Sequence, residues 1–86
     1  MIKDDKTYVE KEMIKYVIAT IDGKYLKKTP AKPEYCFVED IEIATKAMSK
    51  KMIKTILDYF YMDTRLNMEL VIIPVKITYE LIDETI

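Results

Sequence analysis

Alternation of apolar and polar residues near the end of the chain gives its strongest strand signal. In the stretch 68–82, MELVIIPVKITYELI, apolar side chains at every second position would lie on one side of a strand. These are Val71, Ile73, Val75, Ile77, Tyr79 and Leu81. Pro74 has no N–H for a ladder, so this strand is predicted to lie at a sheet edge or to carry a bulge. A shorter alternation, EYCFV at 34–38, predicts another strand with Cys36 facing away from Tyr35 and Phe37.

A hairpin is predicted over 16–28, YVIATIDGKYLKK, because Asp-Gly suits both positions of a two-residue type I′ turn. With Asp22 and Gly23 in the turn, Ala19 lies opposite Leu26. Since side chains alternate between faces, one face is expected to point inward and the other to stay available for a partner. The inward set is Val17, Ala19, Ile21 and Leu26, and the available set is Tyr16, Ile18 and Tyr25.

Apolar residues spaced three and four apart predict an amphipathic helical region between residues 39 and 62. Its stripe is formed by Ile41, Ala44, Met48, Met52, Ile56 and Phe60, widened by Ile53 and Leu57. Glu39 or Asp40 can cap the start, with Glu42 placed for a capping box. Ser49 interrupts the pattern, so the region is either one helix or a short turn followed by a helix over about 50–61. Opposite the stripe, three lysines are aligned at four-residue spacing: Lys46, Lys50 and Lys54.

The predicted order of elements is strand, strand, strand, helix, strand. A helix lying on one face of a small, mostly antiparallel sheet of about four strands buries this pattern, so we predict a two-layer α+β fold. Eighty-six residues make a single domain over 1–86. Residues 1–15 fit either a helix or a strand, and we expect a frayed start over 1–6 that leads into a strand.

Composition argues against an enzyme. The chain has no His, and it has one Ser, one Cys and one Gly, so it lacks the residues of a catalytic triad, a zinc site or a glycine-rich phosphate loop. The acidic cluster of Glu39, Asp40 and Glu42 is explained by helix capping. We therefore predict no catalytic residues, no cofactor and no metal site.

Tyrosines and a few acidic residues are the best candidates for a protein-binding surface. Tyr is common at interfaces because it combines a large rigid area with a polar tip. The segment Tyr59-Phe60-Tyr61-Met62 is more apolar than one helix face can bury, although its tyrosines could instead cover the rim of a Phe60 core. The candidate partner-binding residues are Tyr16, Ile18, Tyr25, Tyr59 and Tyr61, together with Glu80, Asp83 and Glu84 at the acidic end of the last strand.

Two other kinds of partner remain open. Lys46, Lys50 and Lys54 could contact nucleic acid, but a net charge of −1 and a single Arg count against it. The exposed edge of the last strand could pair two copies into a homodimer. No apolar run is long enough for a membrane helix, and a lone cysteine indicates a reducing compartment, so we expect a cytoplasmic protein without a membrane partner.

The segments YVIATIDGKYLKK, YCFVEDIEIATKAMSKKMIKTILDYF and VIIPVKITYEL together resemble small open reading frames of phages and prophages in low-GC Gram-positive bacteria. The likeness covers about residues 16–81 and is a pattern of hydrophobicity around one turn and one cap. It implies a non-enzymatic accessory protein that binds a host protein and inhibits or redirects it. A defence nuclease is the target class implied, as for anti-CRISPR proteins.

Overall fold

The computed structural model describes residues 9–80, with side chains for 12–79. The elements in this range are β1 (Val9–Thr20), β2 (Tyr25–Lys28), β3 (Tyr35–Val38), a 3-10 turn (Ile41–Ile43), α1 (Lys50–Thr64) and β4 (Leu70–Glu80). The strands form one antiparallel sheet in the order β3-β2-β1-β4, and α1 packs on one face of it. The predicted α+β class is therefore confirmed, and residues 9–15 belong to a strand. The frayed start expected over 1–6 lies outside the described residues.

The hairpin between β1 and β2 has a three-residue loop, so its predicted register was wrong by one residue. Ala19 pairs with Tyr25, and Thr20 donates its N–H to the carbonyl of Lys24 at 2.8 Å. Gly23 takes a φ of +90°, which suits glycine and permits this longer loop. As a result Ile21, predicted to point inward, stands at the loop with 74% of its surface exposed. Leu26 now shares a face with Ile18.

The core lies between α1 and the sheet. Ile18, Leu26, Ile53 and Phe60 are each at most 1% exposed and belong to one cluster. Three aromatic rings meet Phe60 nearly edge-on, with centroids 5.2 to 5.8 Å away: Tyr35, Phe37 and Tyr61. Edge-to-face contacts of this kind stabilise beyond the area they bury. Tyr35 and Phe37, which alternate along β3, thus attach this edge strand of the sheet to the helix.

Ser49 separates the two helical pieces. Its Oγ accepts a hydrogen bond from the Met52 N–H at 3.1 Å and caps α1, whereas Asp40 accepts from the Glu42 N–H at 2.9 Å and caps the 3-10 turn. Because a new helix begins after Ser49, α1 does not continue the helical phase of the 3-10 turn. The single stripe predicted across both pieces is therefore wrong for Met48 and Met52, which are exposed on the outside.

The chain between the 3-10 turn and α1 inserts beside β1 where β2 diverges from it. Tyr16 and Ala47 exchange both backbone hydrogen bonds, at 2.9 and 3.0 Å, and the Thr45 N–H donates to the Leu26 carbonyl. Ala47 is buried in the helix-side cluster. On the opposite face of β1, Val17 and Ala19 are also buried. The middle of β1 is therefore the best-protected part of the sheet.

Candidate protein-binding surfaces

The hairpin tyrosines do not form the single exposed face expected from the sequence. Ile18 is 1% exposed beneath α1, so its predicted availability to a partner is wrong; the shifted register and the helix account for its burial. Tyr16 is half-buried and packs against the same cluster. Tyr25 is half-buried too, but strand alternation places it on the face that α1 leaves open. Tyr16 and Tyr25 thus face opposite sides of the sheet.

The tyrosines at the end of α1 also divide into two roles. Tyr61 packs on Phe60, and its hydroxyl donates a hydrogen bond to the Met68 carbonyl at 2.8 Å, so it covers the rim of the core. Tyr59 is 51% exposed on the other side of the helix. The side chains of Glu80, Asp83 and Glu84 lie outside the described residues.

Three large apolar residues on the outward side of α1 form what we term the outer helix face. Met52, Tyr59 and Met62 are 53%, 51% and 63% exposed. At 100° per residue they fall within an arc of about 80° on the helix surface, and Thr55 fills the gap between them. Met48 and Leu66, just before and after the helix, are exposed as well. The sequence signal that reveals this surface is the Ser49 cap, because it fixes where the helix starts.

The candidate nucleic-acid lysines are not aligned on one helix. Lys46 lies before α1, and its Nζ donates to the carbonyls of Ile41, Glu42 and Ala44 at 2.7 to 3.2 Å. It thereby closes the 3-10 turn. Lys50 and Lys54 are exposed on α1. The predicted row of three lysines is therefore reduced to two, which leaves less positive charge for a phosphate backbone.

The face of the sheet opposite α1 carries an apolar stripe along β4. Val71, Ile73 and Tyr79 are exposed there, and Val75 and Ile77 are half-buried. A groove of about 490 Å³ lies between Val75, Ile77 and Tyr79 on one side and the 3-10 turn with Lys46 on the other. The alternation predicted for β4 is thus present, but its apolar side faces outward and the side bearing Leu70 and Ile72 packs under α1.

A smaller hollow of about 220 Å³ lies where β3 meets the end of α1. Tyr35 and Asp63 both line it, and the Tyr35 hydroxyl donates a hydrogen bond to Asp63 Oδ2 at 2.8 Å. Loss of solvent around the phenol, followed by this hydrogen bond to a carboxylate, raises the pKa of Tyr35 to about 12. The hydroxyl is therefore held in its protonated form as a tether between helix and sheet.

Within residues 9–80, no three acidic or cysteine side chains are grouped as metal ligands. No helix in that range has the length and hydrophobicity needed to cross a membrane. Comparison with family models, curated proteins and solved structures found no match to this chain.

Proposed function

We propose that the protein is a non-enzymatic binding module that docks its outer helix face on another protein. The observation that carries this proposal is that α1 is apolar on two sides. Its inner side buries Ile53 and Phe60, while its outer side leaves Met52, Tyr59 and Met62 at least half exposed. Contiguous exposed apolar patches on small folded domains are typical of interaction sites.

The chemistry of the outer helix face suits an apolar groove on the partner. Met52, Tyr59 and Met62 are spaced i, i+7 and i+10, the pattern by which an amphipathic helix seats itself in a hydrophobic groove. Methionine side chains adapt their shape to such a groove, and tyrosine adds a rigid anchor with a polar tip. Lys51 and Asp58 are exposed, and at about 100° per residue they border the patch on the side of Met62, so the partner's rim is expected to be polar and of mixed charge.

The biological consequence that we propose is inhibition or redirection of a host protein. Stoichiometric docking needs no catalytic residue, which agrees with the absence of His and the single Cys and Ser. The phage setting, and a defence nuclease as the target, rest on the resemblance of the sequence to small phage proteins. The docking surface itself rests on the geometry of α1.

Affinity capture with matched variants tests this proposal. Tagged wild type, Met52→Lys/Met62→Lys and Ile21→Lys would be incubated with nuclease-treated lysate of a low-GC Gram-positive bacterium. The control changes a more exposed apolar residue that lies in the β1–β2 loop and not on the outer helix face. Circular dichroism would confirm that all three fold, and any recovered protein would be purified and titrated calorimetrically against each.

The proposal is supported by a partner that binds wild type and Ile21→Lys with similar affinity and binds Met52→Lys/Met62→Lys at least tenfold more weakly. Equal binding by all three would show that the outer helix face is not the docking surface. A parallel capture from lysate without nuclease treatment would include Lys50→Glu/Lys54→Glu. Recovery of nucleic acid alone by wild type, lost in this variant, would favour the nucleic-acid alternative.

A further inference from the structure

The distal part of β4 forms half of a two-stranded arm. Residues 75–80 pair with residues 9–15 of β1, beyond the point where β2 and Ala47 support the other edge of β1. Among the described strands, β4 lies at the edge of the sheet, so none of them pairs with its outer side. An open strand edge is a template for pairing with another strand.

The hydrogen-bonding direction of every residue in β4 follows from Tyr16. Both backbone groups of Tyr16 bond to Ala47, so they point away from β4. The pair Tyr16–Pro74 is therefore not hydrogen-bonded, and in an antiparallel ladder such pairs alternate with hydrogen-bonded ones. It follows that Ile72, Pro74, Lys76 and Thr78 direct their backbone groups to the outer edge. Pro74 lacks a donor on that side, at no cost to the β1–β4 ladder.

We propose that the outer edge of β4 binds β4 of a second copy of this chain, antiparallel, with the two-fold axis at Ile77. Lys76 of each copy then exchanges both backbone hydrogen bonds with Thr78 of the other. On the face of the sheet opposite α1, Ile77 lies opposite Ile77 of the second copy, and Val75 lies opposite Tyr79 of the second copy. The two sheets become one continuous antiparallel sheet.

Other registers of the same pairing are less favourable because of particular residues in β4. An axis at residues 73 to 75 places Pro74, which cannot donate, in the middle of the new ladder. An axis at Lys76 sets two lysines directly opposite each other, which destabilises a strand pair. An axis at Thr78 leaves Val75 opposite position 81, outside the described residues. Only the axis at Ile77 pairs all three apolar side chains of the described arm with one another.

The pairing at Ile77 also avoids placing like charges opposite each other. Lys76 meets the uncharged Thr78, and β-branched and aromatic residues meet across the strands, a combination that stabilises antiparallel pairs. Because the same patch serves both copies, the interface closes as a dimer and does not propagate. A ladder of this length is smaller than a standard stable interface, so dimerisation is expected to depend on concentration.

Disulfide trapping tests the register. In a Cys36→Ser background, Ile77→Cys would be oxidised with oxidised glutathione and run on a non-reducing gel. In the proposed dimer, opposed residues 77 have Cα atoms about 4.5 Å apart, within disulfide range. Ile73→Cys, on the same face of the same strand, is the control, since its two copies lie about 27 Å apart. Crosslinking at least tenfold faster at 77 than at 73 is expected.

Equal rates at 77 and 73, or a faster crosslink for Thr78→Cys, would overturn the register. Sedimentation equilibrium of the untagged wild type provides a readout without cysteine. A concentration-dependent dimer is expected, weakened at least tenfold by Ile77→Lys but not by Ile14→Lys, which changes an exposed residue on the other face of the arm. A monomer at all concentrations would overturn the proposal and would leave the outer helix face untouched.

Discussion

The hydroxyl of Tyr35 donates a hydrogen bond to Asp63 at 2.8 Å and so joins β3 to the last turn of α1. Tyr35 also contacts the buried ring of Phe60 edge-on, at 5.2 Å between centroids. One side chain therefore fixes the short outer strand of the sheet to the helix in two ways. The position of the helix end, and with it of Met62 on the outer helix face, depends on this tether.

Alkaline pH is expected to weaken the fold through Tyr35. Its pKa is raised from 10 to about 12, so the folded chain keeps this proton at a pH where the unfolded chain releases it. Stability from this group is fully present below about pH 10 and is lost as the pH rises towards 12. Urea denaturation between pH 8 and 11.5 would show a shallower alkaline loss for Tyr35→Phe than for wild type. A profile for Tyr35→Phe that matches that of wild type would contradict this.

Phe60 and Tyr59 are neighbours in sequence with opposite roles. Phe60 is 1% exposed at the centre of an aromatic cluster, whereas Tyr59 points outward. Phe60→Ala should lower the free energy of unfolding by about 3–5 kcal/mol, and Tyr59→Ala should change it by less than about 0.5 kcal/mol. Chemical denaturation measures both. Similar losses for the two variants would mean that the helix is rotated from the orientation described.

The cap at Ser49 should make a measurable contribution to stability. Ser49→Ala removes the acceptor of the Met52 N–H and should cost about 1 kcal/mol. Ser49→Asp keeps an acceptor and places negative charge at the helix start, so its stability should equal or exceed that of wild type. Thermal or urea unfolding of wild type, Ser49→Ala and Ser49→Asp measures these differences in the free energy of unfolding. A neutral Ser49→Ala variant would indicate that the helix continues through this residue.

Lys46 should behave as a structural residue and Lys54 as a surface residue. The three carbonyls around Lys46 Nζ would lose a charged donor in Lys46→Met, at a cost of about 1.5–3 kcal/mol. Lys54→Met should change the free energy of unfolding by less than about 0.5 kcal/mol. Equal effects in urea denaturation would argue against the lysine-closed turn.

Amide exchange tests the polarity of β4 without a mutation. The N–H groups of Val75 and Ile77 face β1 and should exchange slowly, while those of Lys76 and Thr78 face the outer edge and should exchange fast in dilute monomer. NMR-detected exchange resolves the four amides individually. The reverse order would mean that the ladder is shifted by one residue. Raising the protein concentration should slow Lys76 and Thr78 if two copies pair.

The sequence was enough to predict the fold class and the strand at the chain end. It could not predict the hairpin register, because Asp22-Gly23 fits both a two-residue turn and the three-residue loop that the structure contains. In that loop the Thr20 side chain accepts from the Lys24 N–H at 2.9 Å and donates to Asp22. This local bonding favours the longer loop, and one extra residue moved Leu26 to the face of Ile18.

For a related reason, the sequence did not predict that Met48 and Met52 are exposed. Met48 and Met52 fit a single stripe with Ile41 and Ala44 only if one helix runs through Ser49. Once Ser49 caps a new helix, the phase of the pattern restarts and the methionines fall outside. Periodicity determines which residues share a side of a helix, but tertiary packing determines which side is buried.

Photocrosslinking from the outer helix face tests the central claim most directly. p-Benzoylphenylalanine would be placed at Tyr59 in one protein and at Ile21 in another, each irradiated in nuclease-treated lysate of a low-GC Gram-positive bacterium. Docking through α1 predicts a defined protein adduct from position 59 that disappears when Met52→Lys/Met62→Lys is added, with no such adduct from position 21. An adduct from position 21 alone, or one from position 59 that survives the methionine changes, would contradict the account.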